Sequence, residues 1–138
     1  MKVSKNEILF IYDSSDMQQR EGLAYIKSLK HYEVKELDVT KDEMTQLQLS
    51  NLATRLAVSD KELMRTDKES HFSEVMNLDG HDFLDYLASN LEMLKTPIAV
   101  YSDRAKFVDS QYELIKEDGV NSTSDVQTSR TMKQREEG

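Results

Sequence analysis

The chain has no cysteine and a single proline, Pro97. Its apolar runs, such as residues 8–12, are strand-sized. The missing cysteine removes disulfides, thiolate nucleophiles and every cysteine-based metal cluster at once. Runs this short cannot span a bilayer, which needs about 20 consecutive apolar residues. Positive charge is scarce as well: 18 Lys and Arg face 26 Asp and Glu, for a net charge of -8. That balance opposes the counterion release on which nucleic-acid binding depends, and it disfavours adsorption to anionic lipid. No signal-peptide apolar stretch follows Met1, so the expected location is the cytoplasm.

What is present suits one soluble globular unit. A length of 138 residues can bury one sizeable core, and 38% hydrophobic with 32% charged residues is ordinary for such a domain. Ile8-Leu9-Phe10-Ile11-Tyr12 reads as a buried strand, and Asp13-Ser14-Ser15-Asp16 as the start signal of a helix. Leu23, Ala24, Ile26 and Leu29 then form an apolar stripe to about Lys30, with Gly22 weakening the helix slightly. Residues 33–39 suit a second, more exposed strand.

Thr40-Lys41-Asp42-Glu43 has the form of a capping box, followed by Leu49, Leu52, Ala53 and Leu56 at helical spacing. Ser59-Asp60-Lys61-Glu62 repeats the form before a short helix, and another short helix is expected over 72–76. Asp79 or Gly80 should open a helix carrying Leu84, Leu87, Ala88 and Leu91 and ending near Leu94. Ile98-Ala99-Val100-Tyr101 and Arg104-Ala105-Lys106-Phe107-Val108 make a hairpin around Ser102-Asp103, and a last helix is expected over 110–116. From Asp118 onward the chain is polar, lacks an apolar period and is expected to be disordered. The early strand, helix and strand imply a parallel pair within a mixed α/β sheet.

Several strings line up in order with one family. Glu62-Leu63-Met64-Arg65-Thr66 resembles the Glu-Leu-x-Arg-Thr segment of the arsenate reductase/Spx branch of the thioredoxin fold. Leu91-Glu92-Met93-Leu94-Lys95-Thr96-Pro97-Ile98 resembles its helix end, proline and buried strand, and Ala105-Lys106-Phe107-Val108 its next strand. The likeness runs over residues 6–117. It implies a thioredoxin-like domain over 1–117, with a helical insertion between the strand-helix-strand unit and the C-terminal hairpin plus helix. It also implies a cis Thr96–Pro97 bond beside the N-terminus of the first helix, the other reading being an ordinary trans proline at a strand start.

In that family a cysteine sits at the N-terminus of the first helix, where amide N–H groups and the helix dipole stabilise a thiolate and an oxyanion. Alignment on Arg20-Glu21 puts Asp16 at the cysteine position and Gln19 at the second one of Spx; alignment from the strand selects Met17 instead. None of these can form a disulfide or a thiolate–arsenic adduct. Of the arsenate-binding arginines only Arg65 has a counterpart, because Thr96 and Asp109 occupy the other two aligned positions. The remnant pocket is therefore Ser14, Ser15, Asp16, Met17, Arg20, Arg65, Thr96 and Pro97, with no catalytic residue, metal or cofactor. Ser14, Ser15 and Asp16 are read first as helix caps, and Arg65 as pairing with a carboxylate or covering the core.

Other chemistries find little support. His31, His71 and His81 are too scattered for a triad. His71 and His81, near Asp79 and Asp82, lack a compact metal-binding pattern. The seven methionines are dispersed rather than striped, and the acidic runs suit solvated faces. The expectation is a non-catalytic binding or regulatory protein whose partner is another protein, with RNA polymerase as the partner that the Spx likeness suggests. The competing expectation is a sulfur-independent enzyme or binder holding glutathione or an oxyanion against Arg65, Thr96 and Pro97.

Overall fold

The first strand is apolar throughout residues 8–12, and its successive side chains leave on opposite faces of the sheet. The computed structural model describes residues 2–66 and 72–109. Strand β1 (Glu7–Tyr12) runs to helix α1 (Met17–Ile26), which returns the chain to β2 (Glu33–Asp38). Then come α2 (Gln46–Leu56), a 3-10 turn (Asp60–Leu63), α3 (Phe72–Met76), α4 (Gly80–Ser89) and a second 3-10 turn (Leu91–Met93). Strands β3 (Ile98–Val100) and β4 (Ala105–Phe107) close the described part. The four strands form one mixed sheet in the order β2-β1-β3-β4, with β1 parallel to β2 and antiparallel to β3.

The pleat separates two cores. Ile8, Phe10, Tyr12, Ala99, Tyr101 and Val108 face Leu23, Ile26 and Leu29 of the α1 segment. Ile11, Ile98, Val100 and Ala105 face the opposite layer, where Leu49, Leu52, Leu63, Met64, Phe83 and Leu87 pack. On the outer strand β2, Glu36 pairs with Lys27 and Lys35 with Glu7, charges that suit an exposed sheet edge.

The expected mixed sheet, hairpin and short helix over 72–76 are all present. Three boundaries differ. The capping box of α2 is Thr45 with Gln48, not Thr40 with Glu43. Thr40 is instead drawn back to the end of β2, where its N–H and hydroxyl donate to Asp38 at 3.0 and 2.8 Å. Helix α1 ends at Ile26, where Lys27 caps it, so Leu29 joins the core from a turn. Helix α4 stops at Ser89, and Leu91 and Met93 reach the core from a 3-10 turn rather than an extended helix. Helical periodicity continued in the sequence because a 3-10 turn offers nearly the same spacing of buried positions. The expected helix over 110–116, the tail from Asp118 and the domain boundary between them lie outside the described residues.

Candidate functional site

The turn between β1 and α1 lies beside the start of β3, because Ile11 is the register partner of Ile98. The Thr96–Pro97 peptide bond at that start is cis. A short antiparallel bridge between Met64 and Leu94 brings the Arg65 segment to the same place. It is fastened by Arg65 N–H to Met93 O at 2.9 Å and Lys95 N–H to Leu63 O at 2.7 Å.

Asp16 is the N-cap of α1, and its carboxylate accepts from Gln18 N–H at 2.9 Å and Gln19 N–H at 3.2 Å. Two of the donors that would face an anion at this helix end are thus engaged by a side chain of the chain itself. Behind the cap lies Asp13, only 4% exposed. One of its oxygens accepts from Ser15 N–H at 2.9 Å and Ser15 hydroxyl at 2.6 Å. The other lies 3.4 Å from Arg65 Nη1, and the same nitrogen is 3.4 Å from Glu92 O. Gln19, also buried, accepts from Asp13 N–H at 2.8 Å and reaches Thr96 O at 3.4 Å with its amide nitrogen.

The turn is anchored to β2 by a second carboxylate. Ser14 N–H donates to Asp38 at 3.2 Å, and the Ser14 and Thr40 hydroxyls are 3.0 Å apart. Burial would raise the Asp38 pKa, but hydrogen bonds from Ser14 and Thr40 outweigh it and hold the carboxyl at about 2. Arg20 turns back to donate to Ser14 O at 2.6 Å, while Met17 is 62% exposed.

A cavity of about 400 Å³ opens between the start of α1 and the proline, lined in part by Asp16, Gln19, Glu21, Thr96, Pro97 and Asp109. Of the residues singled out from sequence, Asp16, Thr96 and Pro97 line it, whereas Ser14, Ser15, Met17, Arg20 and Arg65 do not. Asp13 and Asp38, which organise the turn, were not singled out; Asp13 gave a signal only as the first residue of the Asp13-Ser14-Ser15-Asp16 string. His81 and Asp82 are exposed on α4, Asp79 caps that helix, and His71 lies outside the described residues. Among the described residues no three His, Asp or Glu side chains converge in a way that could hold a metal ion. No helix among them is long and apolar enough to cross a membrane.

Chemically, the cavity offers carboxylates and amides but no thiol, and its lining among the described residues includes no cationic side chain. Ser15 is paired with a carboxylate and, among the described residues, with no histidine, the base that activates a serine nucleophile.

No family model matches the sequence, and no curated protein matches it significantly. Solved structures share the fold. An arsenate reductase from Vibrio cholerae superposes with a TM-score of 0.67 over 82% of this chain and 98% of its own, at 15% identity. A Yersinia pestis protein described provisionally as an arsenate reductase gives 0.65 over 79% and 98%, at 20% identity. A Staphylococcus aureus protein solved by NMR gives 0.60 over 78% and 96%, at 18% identity. The thioredoxin-like α/β architecture of the arsenate reductase neighbours is therefore the fold of this cysteine-free chain.

Proposed function

We propose that this chain is a non-catalytic thioredoxin-fold protein that acts as a binding or regulatory module for another protein. The observation that supports this reading best is at the start of α1. The position where a thiolate or an anion would sit is met by the Asp16 carboxylate, bonded to the Gln18 and Gln19 N–H groups. Arg65, the aligned anion-binding residue, is turned to Asp13 and Glu92 O. A site that satisfies its own donors has little free energy left for an oxyanion.

RNA polymerase is the partner suggested by the likeness to Spx, and it is part of the proposal. Affinity capture with the full chain from native cytosol, followed by mass spectrometry, tests both statements. A specific, reproducible partner supports the binding reading. Capture without polymerase subunits removes that partner, and no specific capture at all removes the reading.

The sulfur-independent alternative draws on the cavity beside Pro97, but Arg65 does not line it and its charged lining is acidic. Calorimetric titration with glutathione, phosphate, arsenate and arsenite is expected to give no saturable heat. Saturable binding abolished by Arg65→Ala would establish the alternative instead.

A further inference from the structure

Among the described residues, strand β4 is an edge of the sheet. Against β3, Val108 N–H donates to Pro97 O at 3.0 Å and Tyr101 N–H to Arg104 O at 2.7 Å. Phe107 is the register partner of Ile98, and Lys106 that of Ala99. Antiparallel bonding alternates, so Lys106 points its main-chain groups to β3 and Phe107 points its N–H and C=O to the outer side.

The Phe107 ring packs against the larger core and also borders a cavity of about 310 Å³, whose apolar walls include Val58, Met64 and Met76. Two cations line the same cavity. Lys95 Nζ lies 4.7 Å from the centre of the Phe107 ring, and Lys61 Nζ donates to Met76 O at 2.5 Å. Glu62, also in the lining, accepts from Ser59 N–H at 2.7 Å and Ser59 hydroxyl at 2.9 Å, and the nearby Lys95 ammonium helps those bonds hold its carboxyl below the ordinary value. Two ammonium groups and one carboxylate thus border the apolar floor, a local excess of positive charge in a chain whose net charge is -8.

We propose that the outer edge of β4 at Phe107 and this adjoining cavity bind an extended acidic segment of a partner protein, with a large apolar side chain seated between carboxylates. The inference rests on the protein-binding reading above and names the surface and the chemistry of the partner. A strand added to an edge takes its affinity from main-chain bonds and its selectivity from alternate side chains. The residue opposite Phe107 lies on the Phe107 face, over the cavity. Residues two positions to either side share that face, where carboxylates meet Lys61 and Lys95. A basic segment would place like charges together, and a free phosphate would leave the apolar floor and the strand edge unused.

The probe is a fluorescein-labelled heptapeptide, Thr-Asp-Thr-Leu-Thr-Asp-Thr, titrated with the full chain and read by fluorescence anisotropy. Saturable binding is expected, weakened about tenfold or more by Lys95→Glu, an exposed position whose substitution leaves the core intact. N-methylation of the leucine amide should abolish binding while N-methylation of the adjacent threonine is tolerated, a register effect that no change in protein folding can imitate. No saturable binding up to about millimolar concentration overturns the proposal, as does equal binding to the Lys95→Glu chain. Carbodiimide cross-links from Lys95 to residues 118–138 of the same chain would overturn it in favour of an internal occupant. A concentration-dependent dimer lost in Lys95→Glu would overturn it in favour of a second copy. Capture of the same cytosolic partner by wild type and Lys95→Glu would discard this surface and leave the protein-binding reading standing.

Discussion

Gln19 accepts a hydrogen bond from the N–H of Asp13 at 2.8 Å, so the first turn of α1 holds the end of β1 through one buried carboxamide. Replacing it by alanine strands that N–H beneath the helix. Gln19→Ala is expected to cost about 1–3 kcal/mol, the penalty for an unsatisfied buried donor, measured as a lower urea midpoint with unchanged slope. An unchanged midpoint would show that water replaces the carboxamide.

The same helix end can be asked whether it still favours a thiolate. In Asp16→Cys the carboxylate is gone, and the Gln18 and Gln19 N–H groups that it bonded become available to sulfur. The new thiol should titrate below the ordinary value of about 8.5, read from the pH dependence of alkylation by iodoacetamide. A value at or above that figure would mean that Glu21 and Asp109, both lining the adjacent cavity, outweigh the helix end.

Acid should loosen the turn through Asp38. Its folded pKa of about 2 lies below the ordinary carboxyl value, so the folded state favours the ionised form. The resulting stability is fully present above pH of about 4 and is lost as the pH falls from there toward 2. A shift of this size corresponds to about 2 kcal/mol. Asp38→Asn should flatten the stability profile over that window in urea titrations at successive pH values; an identical slope in both proteins would remove Asp38 as the cause.

At the C-cap of α2, Ala57 has φ 60°, a left-handed conformation that suits glycine better than a residue with a Cβ. Ala57→Gly should therefore raise stability by about 0.5–1 kcal/mol, seen as an increase in Tm. A decrease would show that the entropy lost by glycine on folding exceeds the relief at the cap.

Much of this architecture was legible. The unbroken apolar run Ile8–Tyr12 reads as a buried strand and is one, with apolar packing on both of its faces, and hairpin signals flank Ser102-Asp103. The Ser59 and Glu62 capping box reads correctly because all of its partners are local. Thr40 and Glu43 carried the same local signature, yet Thr40 is taken by Asp38, a neighbour that competes for the same hydroxyl. At the site, Asp16 was legible as a cap, whereas the pairing of Arg65 with Asp13 spans 52 positions in the chain and has no local signature.

Composition alone determined that no thiol chemistry can come from this chain, since no residue carries a thiol. Local patterning determined the kinds of elements and which side of each is apolar, because period and capping act over a few residues. Tertiary structure decided which polar groups meet. Sheet pairing sets β1 beside β3, and the Met64–Leu94 bridge carries Arg65 to Asp13. Burial then made the Asp13 N–H find the Gln19 carboxamide as its acceptor, a requirement imposed by desolvation that the residue types alone do not state.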